Sequence, residues 1–393
     1  MSSRANRDAP LHGAGSLARR YAQVRAQSEA IAEPLSPEDQ CLQSMPDASP
    51  TKWHLAHTAW FFERMVLMER EAYRVFDPGF DALFNSYYLG LGSPYPRARR
   101  GLISRPNLKR VLDYRRYVDD AMARAFDDDA ARDPIELGLN HEQQHQELML
   151  SDILHAFSCN PLLPAYRPAP VALGEAKPLR WFEHRGGQIE IGHDGEGFAF
   201  DNETPRHTVT LQPFRIASRL VTCSEYAQFI ADGGYARPEL WLSDGWALAQ
   251  SENWHAPLYW QGDGRVFTLG GVRAIDANEP VMNLSFYEAA AYAAWAGKRL
   301  PTEFEWEAAS ALGCEDMFGK AWQWTRSAYD PYPGFKTFAG AASEYNGKFM
   351  VGQLVLRGSS FATPDAHARA SYRNFFPPSA RWQFSGIRLA QDA

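Results

Sequence analysis

The sequence predicts two domains, an all-helical first part followed by a second part of the α+β class. With 393 residues the chain is too long for one ordinary core. Apolar residues recur at helical spacing up to about Ala156, whereas later segments alternate like strands. Between them lies a proline-rich stretch that cannot continue a helix, since proline lacks the backbone donor. We therefore expect a helical domain at 16–157, a linker at 158–178 and a second domain at 179–393.

The first part contains four segments with helical periodicity, preceded by a polar stretch, 1–15, that we expect to be disordered. The helical segments begin near Leu17, near Trp53, at Asn107 and at Asn140. Asn140 is predicted to be the N-cap of the last of them, which runs to Phe157. Four helices indicate a bundle, and the core of a bundle can hold a metal ion between facing helices.

The second part combines short strands with a few helices. The runs 188–192 and 207–212 alternate between apolar and polar residues, which predicts strands. Helical patterns interrupt them at 224–231 and 285–296. We therefore expect a loop-rich α+β domain.

Composition limits the classes of function. Hydrophobic residues make up 45% and charged residues 22%, which fits a globular protein in water. The formal net charge is −7 and no long Lys/Arg run occurs, so neither nucleic acid nor an anionic membrane is an expected partner. The four cysteines are scattered, and no signal-peptide core or long apolar run is present. These features favour a cytoplasmic protein.

The most informative motif is His141-Glu-Gln-Gln-His145-Gln-Glu147. Two imidazoles four residues apart leave the same helix face and can bind one metal ion. Zinc, iron and copper all use such a pair, so a third ligand has to discriminate. The candidates are His57 and His54, in the helix that begins near Trp53, and His155, which lies ten residues after His145 and so points to another side of its helix.

The same letters match H-E-x-x-H, the zinc-protease signature, with Glu142 as the general base. The longer form of that signature requires a glycine and a third histidine, where this chain has Leu148 and Ser151. The other form requires a glutamate ligand on a later helix, but here the proline-rich stretch follows. The sequence therefore argues against a protease.

Many motifs together resemble the ergothioneine-biosynthesis sulfoxide synthases (the EgtB type). The histidine motif resembles their iron-binding motif, as does Trp53-His-Leu-Ala-His57. The second part resembles the formylglycine-generating-enzyme type of domain. Its matching segments are Asp201–His207, Ala296–Trp306, Trp322-Gln-Trp-Thr, Leu356-Arg-Gly-Ser-Ser, Tyr372-Arg-Asn-Phe-Phe-Pro-Pro and Gly386–Leu389.

The resemblance implies a DinB-like four-helix bundle followed by a C-type-lectin-like domain. It also implies a reaction, the oxidative formation of a C–S bond at a non-haem Fe(II) with O₂. The substrates would be hercynine, which reacts at C2 of its imidazole, and either cysteine or γ-glutamylcysteine. The product would be a sulfoxide.

For the metal and the chemistry, the resemblance implies six residues. His57, His141 and His145 match the three iron ligands. Gln144 matches the position that hydrogen-bonds the substrate imidazole, and Tyr87 and Tyr88 resemble a tyrosine pair of one branch of the family. A phenol near the iron can pass a proton and steer the reaction away from simple thiol oxidation, a role for which Tyr88 is slightly preferred.

Substrate contacts are implied in two further segments. Arg97 and Arg100 match the clamp for the carboxylates of the thiol substrate, which suits the guanidinium fork. In the second part the matching residues are Arg373, Asn374, Phe375, Phe376 and Arg381. Of these, Asn374 is expected to bind the hercynine carboxylate. Either phenylalanine is expected to face the trimethylammonium group, which a ring can stabilise.

Three alternatives remain at this stage. A relative of the ovothiol type would act on histidine, and one of the selenoneine type would take a selenosugar and keep the same iron ligands. A non-catalytic protein could use the lectin-like domain as a receptor. Formylglycine-generating activity requires an active cysteine pair, and Cys223 and Cys314 lie outside the equivalent region.

Overall fold

The computed structural model describes residues 14–168, 174–175 and 177–393, which form two compact units, 1–146 and 147–393. The division falls inside a helix that continues to Ser158, where the predicted linker begins. Within that linker, 169–173 and 176 lie outside the described residues, as do residues 1–13 of the terminus predicted to be disordered. Ala14 and Gly15, also predicted to be disordered, instead begin the first helix.

The first unit is helical, as predicted. Its α-helices are α1 (Ala14–Ala32), α2 (Thr51–Phe62), α3 (Gly79–Phe84), α4 (Leu108–Met122) and α5 (Arg132–Ser158), the last of which continues into the second unit. Every residue of α2 is buried, which explains why this helix lacks a polar face. A π-helical turn, Glu63–Leu67, follows it directly.

Two helix starts can be compared with the sequence. Asn107 caps α4, since its side chain accepts a hydrogen bond from the backbone N–H of Arg110. The N-cap predicted at Asn140 is wrong, because α5 already begins at Arg132. The Asn140 side chain instead donates to the carbonyl of Glu136, one turn earlier in the same helix. This local bond gives an asparagine a partner without a helix start.

The second unit mixes short strands and helices. In chain order they are β1 (Trp181–His184), β2 (Gly187–Ile191), β3 (His207–Leu211), β4 (Phe214–Ala217), α6 (Cys223–Ala231), α7 (Ser243–Ser251), β5 (Arg265–Thr268), β6 (Gly271–Ala274), α8 (Phe286–Trp295), α9 (Glu303–Ala309), β7 (Trp322–Ala328), β8 (Leu354–Arg357), β9 (Asn374–Phe376), β10 (Ser385–Gly386) and β11 (Ala390–Asp392). The strands predicted at 188–192 and 207–212 and both predicted helices are confirmed.

The strands form small sheets. One sheet has the order β1-β4-β11 and is antiparallel, and another has the order β10-β7-β8-β9, in which only the β10–β7 pair is parallel. The pairs β2–β3 and β5–β6 are antiparallel hairpins. Capping boxes start α6, α8 and α9, so each of these helices begins at a serine or threonine with a glutamate three residues later. Among the described residues no helix combines the length and the apolar character that a membrane span requires.

Candidate metal centre

Three histidines of the first unit converge on one point. His57 comes from α2, and His141 and His145 come from adjacent turns of α5. Each can offer one ring nitrogen, and these nitrogens all lie within 4.8 Å of one another. The two histidines at i, i+4 spacing therefore face one point, as the sequence predicts, and His57 rather than His54 completes the cluster.

Hydrogen bonds fix how the rings face. Nδ1 of His57 lies 2.6 Å from the carbonyl oxygen of Phe84, so this nitrogen carries the proton and donates. Nε2 of His57 is then the unprotonated nitrogen, and it lies 3.1 Å from Nε2 of His141. A backbone carbonyl in this position is the usual partner of a metal-binding histidine.

Aromatic side chains pack against the faces of the same imidazoles. Trp53 stacks on His57 with ring centroids 4.5 Å apart, and Phe61 stacks on His141 at 4.2 Å. On α2, Trp60 lies 5.5 Å from His57. The rings are therefore held in place by packing before any ligand binds.

Burial also sets the charge of the cluster. Loss of hydration lowers the pKa of His141 to about 3, and it lowers the pKa values of His57 and His145 well below their usual range. All three imidazoles are thus neutral near pH 7 and present lone pairs. Three neutral nitrogen ligands fit Fe(II), and the same donor set also suits zinc.

Glu142, the glutamate of the H-E-x-x-H letters, is held by cationic side chains. Its carboxylate lies 2.9 Å from Arg25 and 3.1 Å from Arg115, and it accepts a hydrogen bond of 2.6 Å from Ser28. Burial alone would raise the pKa of Glu142, but the two guanidinium groups outweigh burial and lower it to about 2. A carboxylate fixed in this way is a poor general base, which agrees with the argument against a protease.

Glu147, at the end of the same motif, has neutral partners. It accepts hydrogen bonds from Trp322 at 2.8 Å, Ser360 at 2.5 Å and Thr363 at 2.7 Å, all in the second unit, to which Glu147 itself belongs. Burial raises the pKa of Glu147 in spite of these three donors. The carboxylate is engaged in packing the second unit, and it is not part of the histidine cluster.

The two tyrosines predicted to be catalytic lie three and four residues after Phe84, whose carbonyl accepts from His57. Tyr88 is fully buried, and its ring stacks on that of Tyr87 at 4.6 Å. Asn85 accepts from the backbone N–H of Tyr88 and donates to its carbonyl, which fixes this turn. The Tyr88 ring also lies 5.7 Å from Trp60 of α2.

The predicted substrate residues of the first unit differ in exposure. Arg97 is exposed and donates to the backbone carbonyl of Asp47. Arg100 is buried, lies 3.4 Å from the centroid of the Trp53 ring and donates to the hydroxyls of Ser49 and Ser86. Gln144 is partly exposed on α5. Their substrate roles stay predictions.

Two of the predicted substrate arginines in the second unit are engaged inside the fold. Arg373 forms a two-pronged ion pair with Glu303, at 2.8 and 2.9 Å. Arg381 pairs with Glu288 at 2.7 Å and lies over Trp254. These contacts indicate a structural role for both guanidinium groups, although the predicted substrate role is not thereby tested.

The remaining predicted residues form β9. Asn374 accepts from the next backbone N–H of its own strand, and Phe375 stacks on Tyr329 at 4.1 Å. Phe376 meets Trp382 edge to face at 5.8 Å. All three are partly exposed, so packing in the unit and contact with a ligand are compatible.

Similarity to known proteins extends over both units. Residues 184–313 and 308–393 match the sulfatase-modifying factor enzyme 1-like domain. The hercynine oxygenase of Mycolicibacterium smegmatis is 33% identical, with 89% of this chain and 92% of the relative covered. That of Mycobacterium tuberculosis is 34% identical, with 90% and 93% covered. The chain belongs to the hercynine oxygenase family. Its predicted fold class, a helical part followed by a formylglycine-generating-enzyme-type domain, is confirmed.

A second group of relatives matches a smaller share of the chain. The formylglycine-generating enzyme of Streptomyces coelicolor is 32% identical but covers 40% of this chain and 56% of its own length. Cys223 and Cys314 are both free thiols here, and burial raises the pKa of Cys223 to about 12 and also raises that of Cys314. Both are therefore protonated near pH 7, which does not suit cysteine-based catalysis.

Proposed function

We propose that this protein is an Fe(II)- and O₂-dependent sulfoxide synthase that joins hercynine to cysteine or γ-glutamylcysteine. The main support is the buried cluster of three neutral histidines in a chain of the hercynine oxygenase family. The names of these relatives state the substrate and the use of oxygen, and the histidine cluster supplies a place for a metal. A role in ergothioneine biosynthesis follows from the resemblance of the motifs.

The proposed reaction balances with O₂ as the sole oxidant. The C2–H bond of the hercynine imidazole and the S–H bond of the thiol are lost, and a C–S bond forms. One oxygen atom becomes the sulfoxide oxygen, and the other leaves as water with the two hydrogens. Two two-electron oxidations thus match the four-electron reduction of O₂.

His57, His141 and His145 would hold the iron through neutral imidazoles. Fe(II) held by these residues would supply the one-electron chemistry that O₂ requires. The Phe84 carbonyl keeps the proton on Nδ1 of His57, so that Nε2 stays available. Trp53 and Phe61 hold the imidazole planes.

Tyr88 is proposed as the proton donor. Its side chain is fully buried, and the Asn85 side chain fixes the backbone of this turn. Gln144 would orient the hercynine imidazole. Arg97 and Arg100 would bind the carboxylates of the thiol substrate, and Asn374, Phe375 and Phe376 would contact hercynine.

The decisive experiment is anaerobic reconstitution with Fe(II), followed by O₂ and hercynine with either cysteine or γ-glutamylcysteine. Mass analysis identifies the sulfoxide and the preferred thiol. His141→Ala should lose both iron and turnover, whereas His155→Ala, on the same helix, should keep both. Full activity without iron would exclude the proposal.

The role of Tyr88 is tested by the ratio of products. Tyr88→Phe should lower the yield of sulfoxide relative to oxidised thiol by about tenfold or more, because the variant loses a positioned proton donor. Tyr87→Phe is the matched control and should change the ratio less. An unchanged ratio in Tyr88→Phe would remove Tyr88 from the mechanism.

A selenoneine-type synthase is the nearest second candidate, since it would use the same iron ligands. The same assay with a selenosugar as the donor separates the two activities. A selenium-containing product formed faster than the sulfoxide would favour that candidate.

A further inference from the structure

We infer that His54 is a positioning residue for the metal centre. It accepts a hydrogen bond from His145 and thereby selects the ring nitrogen of His145 that binds the metal. The inference rests on the proposed function, because it assigns His145 to a metal. It concerns a residue that the sequence offered only as a competing ligand.

The contact between these two rings is short and direct. Nδ1 of His54 lies 2.8 Å from Nδ1 of His145, within ordinary hydrogen-bond distance. The ring centroids lie 5.0 Å apart with planes inclined at 58°. Only one of the two nitrogens can carry the hydrogen in this bond, so the two tautomers are coupled.

Metal binding decides which nitrogen donates. If Nδ1 of His145 carries the proton, its Nε2 has a free lone pair and can be a ligand. If instead His54 donates, neutral His145 carries its proton on Nε2, which then cannot bind a metal. The competent arrangement therefore has His145 donating and His54 accepting, in the same way as Phe84 accepts from His57.

The position of His54 explains why it is a partner and not a ligand. The histidines whose nitrogens lie within 4.8 Å of one another are His57, His141 and His145. His54 lies one helical turn before His57 on α2, so both side chains leave a similar face of that helix. One therefore enters the cluster, while the other contacts its outer side.

The surroundings of His54 keep its ring in place. His54 has 2% of its surface exposed, and α2 is buried along its whole length. The neighbouring Trp53 ring lies 5.7 Å away at an angle of 78°. A buried acceptor that cannot rotate away is suited to fix the orientation of a ligand.

Two variants of the protein distinguish the effect of the hydrogen-bond acceptor from that of the ring volume. His54→Phe keeps the ring volume but lacks the acceptor, and we expect its affinity for Co(II) to fall about 10–100-fold. His54→Asn places an amide oxygen close to the position of Nδ1, so it should restore most of that affinity. His155→Phe is the control for loss of a histidine and should bind as the wild type does.

The measurement is titration of metal-free protein with Co(II), followed by its visible absorption, which does not depend on turnover. Nitrogen-15 NMR of the wild type provides a second readout, in which Nδ1 of His145 should carry the proton. That spectrum keeps the inference testable if His54→Phe fails to fold.

Several outcomes would overturn the inference. One is equal Co(II) affinity in His54→Phe and the wild type, and another is a proton on Nε2 of His145. A loss in His54→Phe as complete as in His145→Ala would make His54 a ligand. Wild-type protein that binds neither Co(II) nor Fe(II) would instead overturn the proposed function itself.

Discussion

Helix α5 carries two buried carboxylates, five residues apart, whose surroundings differ in charge. Glu142, in the first unit, faces the guanidinium groups of Arg25 and Arg115. Glu147, in the second unit, receives hydrogen bonds from three neutral donors of the described chain, Trp322, Ser360 and Thr363. Accordingly the pKa of Glu142 is lowered to about 2, whereas that of Glu147 is raised, chiefly by burial.

This difference shows that a sequence motif alone does not determine the role of its acidic residues. Both glutamates lie within the seven residues that also contain His141 and His145, and either could be taken for a ligand or a base. The side chains that each glutamate contacts indicate a different role. Glu142 neutralises buried cations of α1 and α4, while Glu147 is an acceptor for side chains of the second unit. Neither is part of the histidine cluster.

The largest loss of stability is expected for the variant Glu142→Gln. Glu142→Gln removes the counter-charge that two buried guanidinium groups share, although Arg25 still pairs with Asp119 and Arg115 with Glu29. Removal of one partner from such a buried network typically destabilises by about 3–5 kcal/mol. Urea titration of the free energy of unfolding measures this loss. Glu63→Gln is the matched control, because Glu63 is equally buried but accepts from the hydroxyls of Tyr73 and Tyr114. Its loss should be smaller.

Glu147→Gln should have an intermediate effect. The amide keeps an oxygen that can accept, but its NH₂ group meets donors, so about 1–3 kcal/mol of stability should be lost. Urea titration applies again, with both variants in the same buffer. A loss equal to or larger than that of Glu142→Gln would show that the difference in charge between the two sites does not control stability.

The smallest effect is expected for a single donor. Thr363→Val keeps the shape of the side chain and removes one of the three hydrogen bonds to Glu147. A loss of about 0.5–1.5 kcal/mol is expected, since Trp322 and Ser360 still donate. No change at all in the thermal midpoint would mean that the Thr363 bond contributes nothing to stability.

Much of the first unit could be predicted from spacing. The i, i+4 histidines, the helical texture and the cap at Asn107 all follow from local rules. Arg115 also gave a signal, because it interrupts the apolar row of α4 and thus required a buried partner. That partner is Glu142, which lies 27 residues later in the chain, so local sequence patterns do not identify it.

Other contacts could not be predicted from the sequence, because they also join residues that are far apart in the chain. The Phe84 carbonyl binds His57 across 27 residues, and a backbone acceptor leaves no trace in side-chain patterns. The arginines of the second unit show the reverse difficulty. Arg373 suggests an anion ligand when it is seen alone, yet Glu303, 70 residues earlier, already supplies the carboxylate. Charge in a motif cannot distinguish an internal partner from an external one.

The complete burial of α2 has a consequence for how the proposed metal would enter and leave. A helix without a solvent-facing side cannot fray or tilt outward on its own, because each of its side chains is packed. Its backbone amides should therefore exchange with deuterium only when the first unit opens as a whole. His57 would then keep its position whether or not a metal ion is bound, and the metal-free protein would keep a preformed binding site.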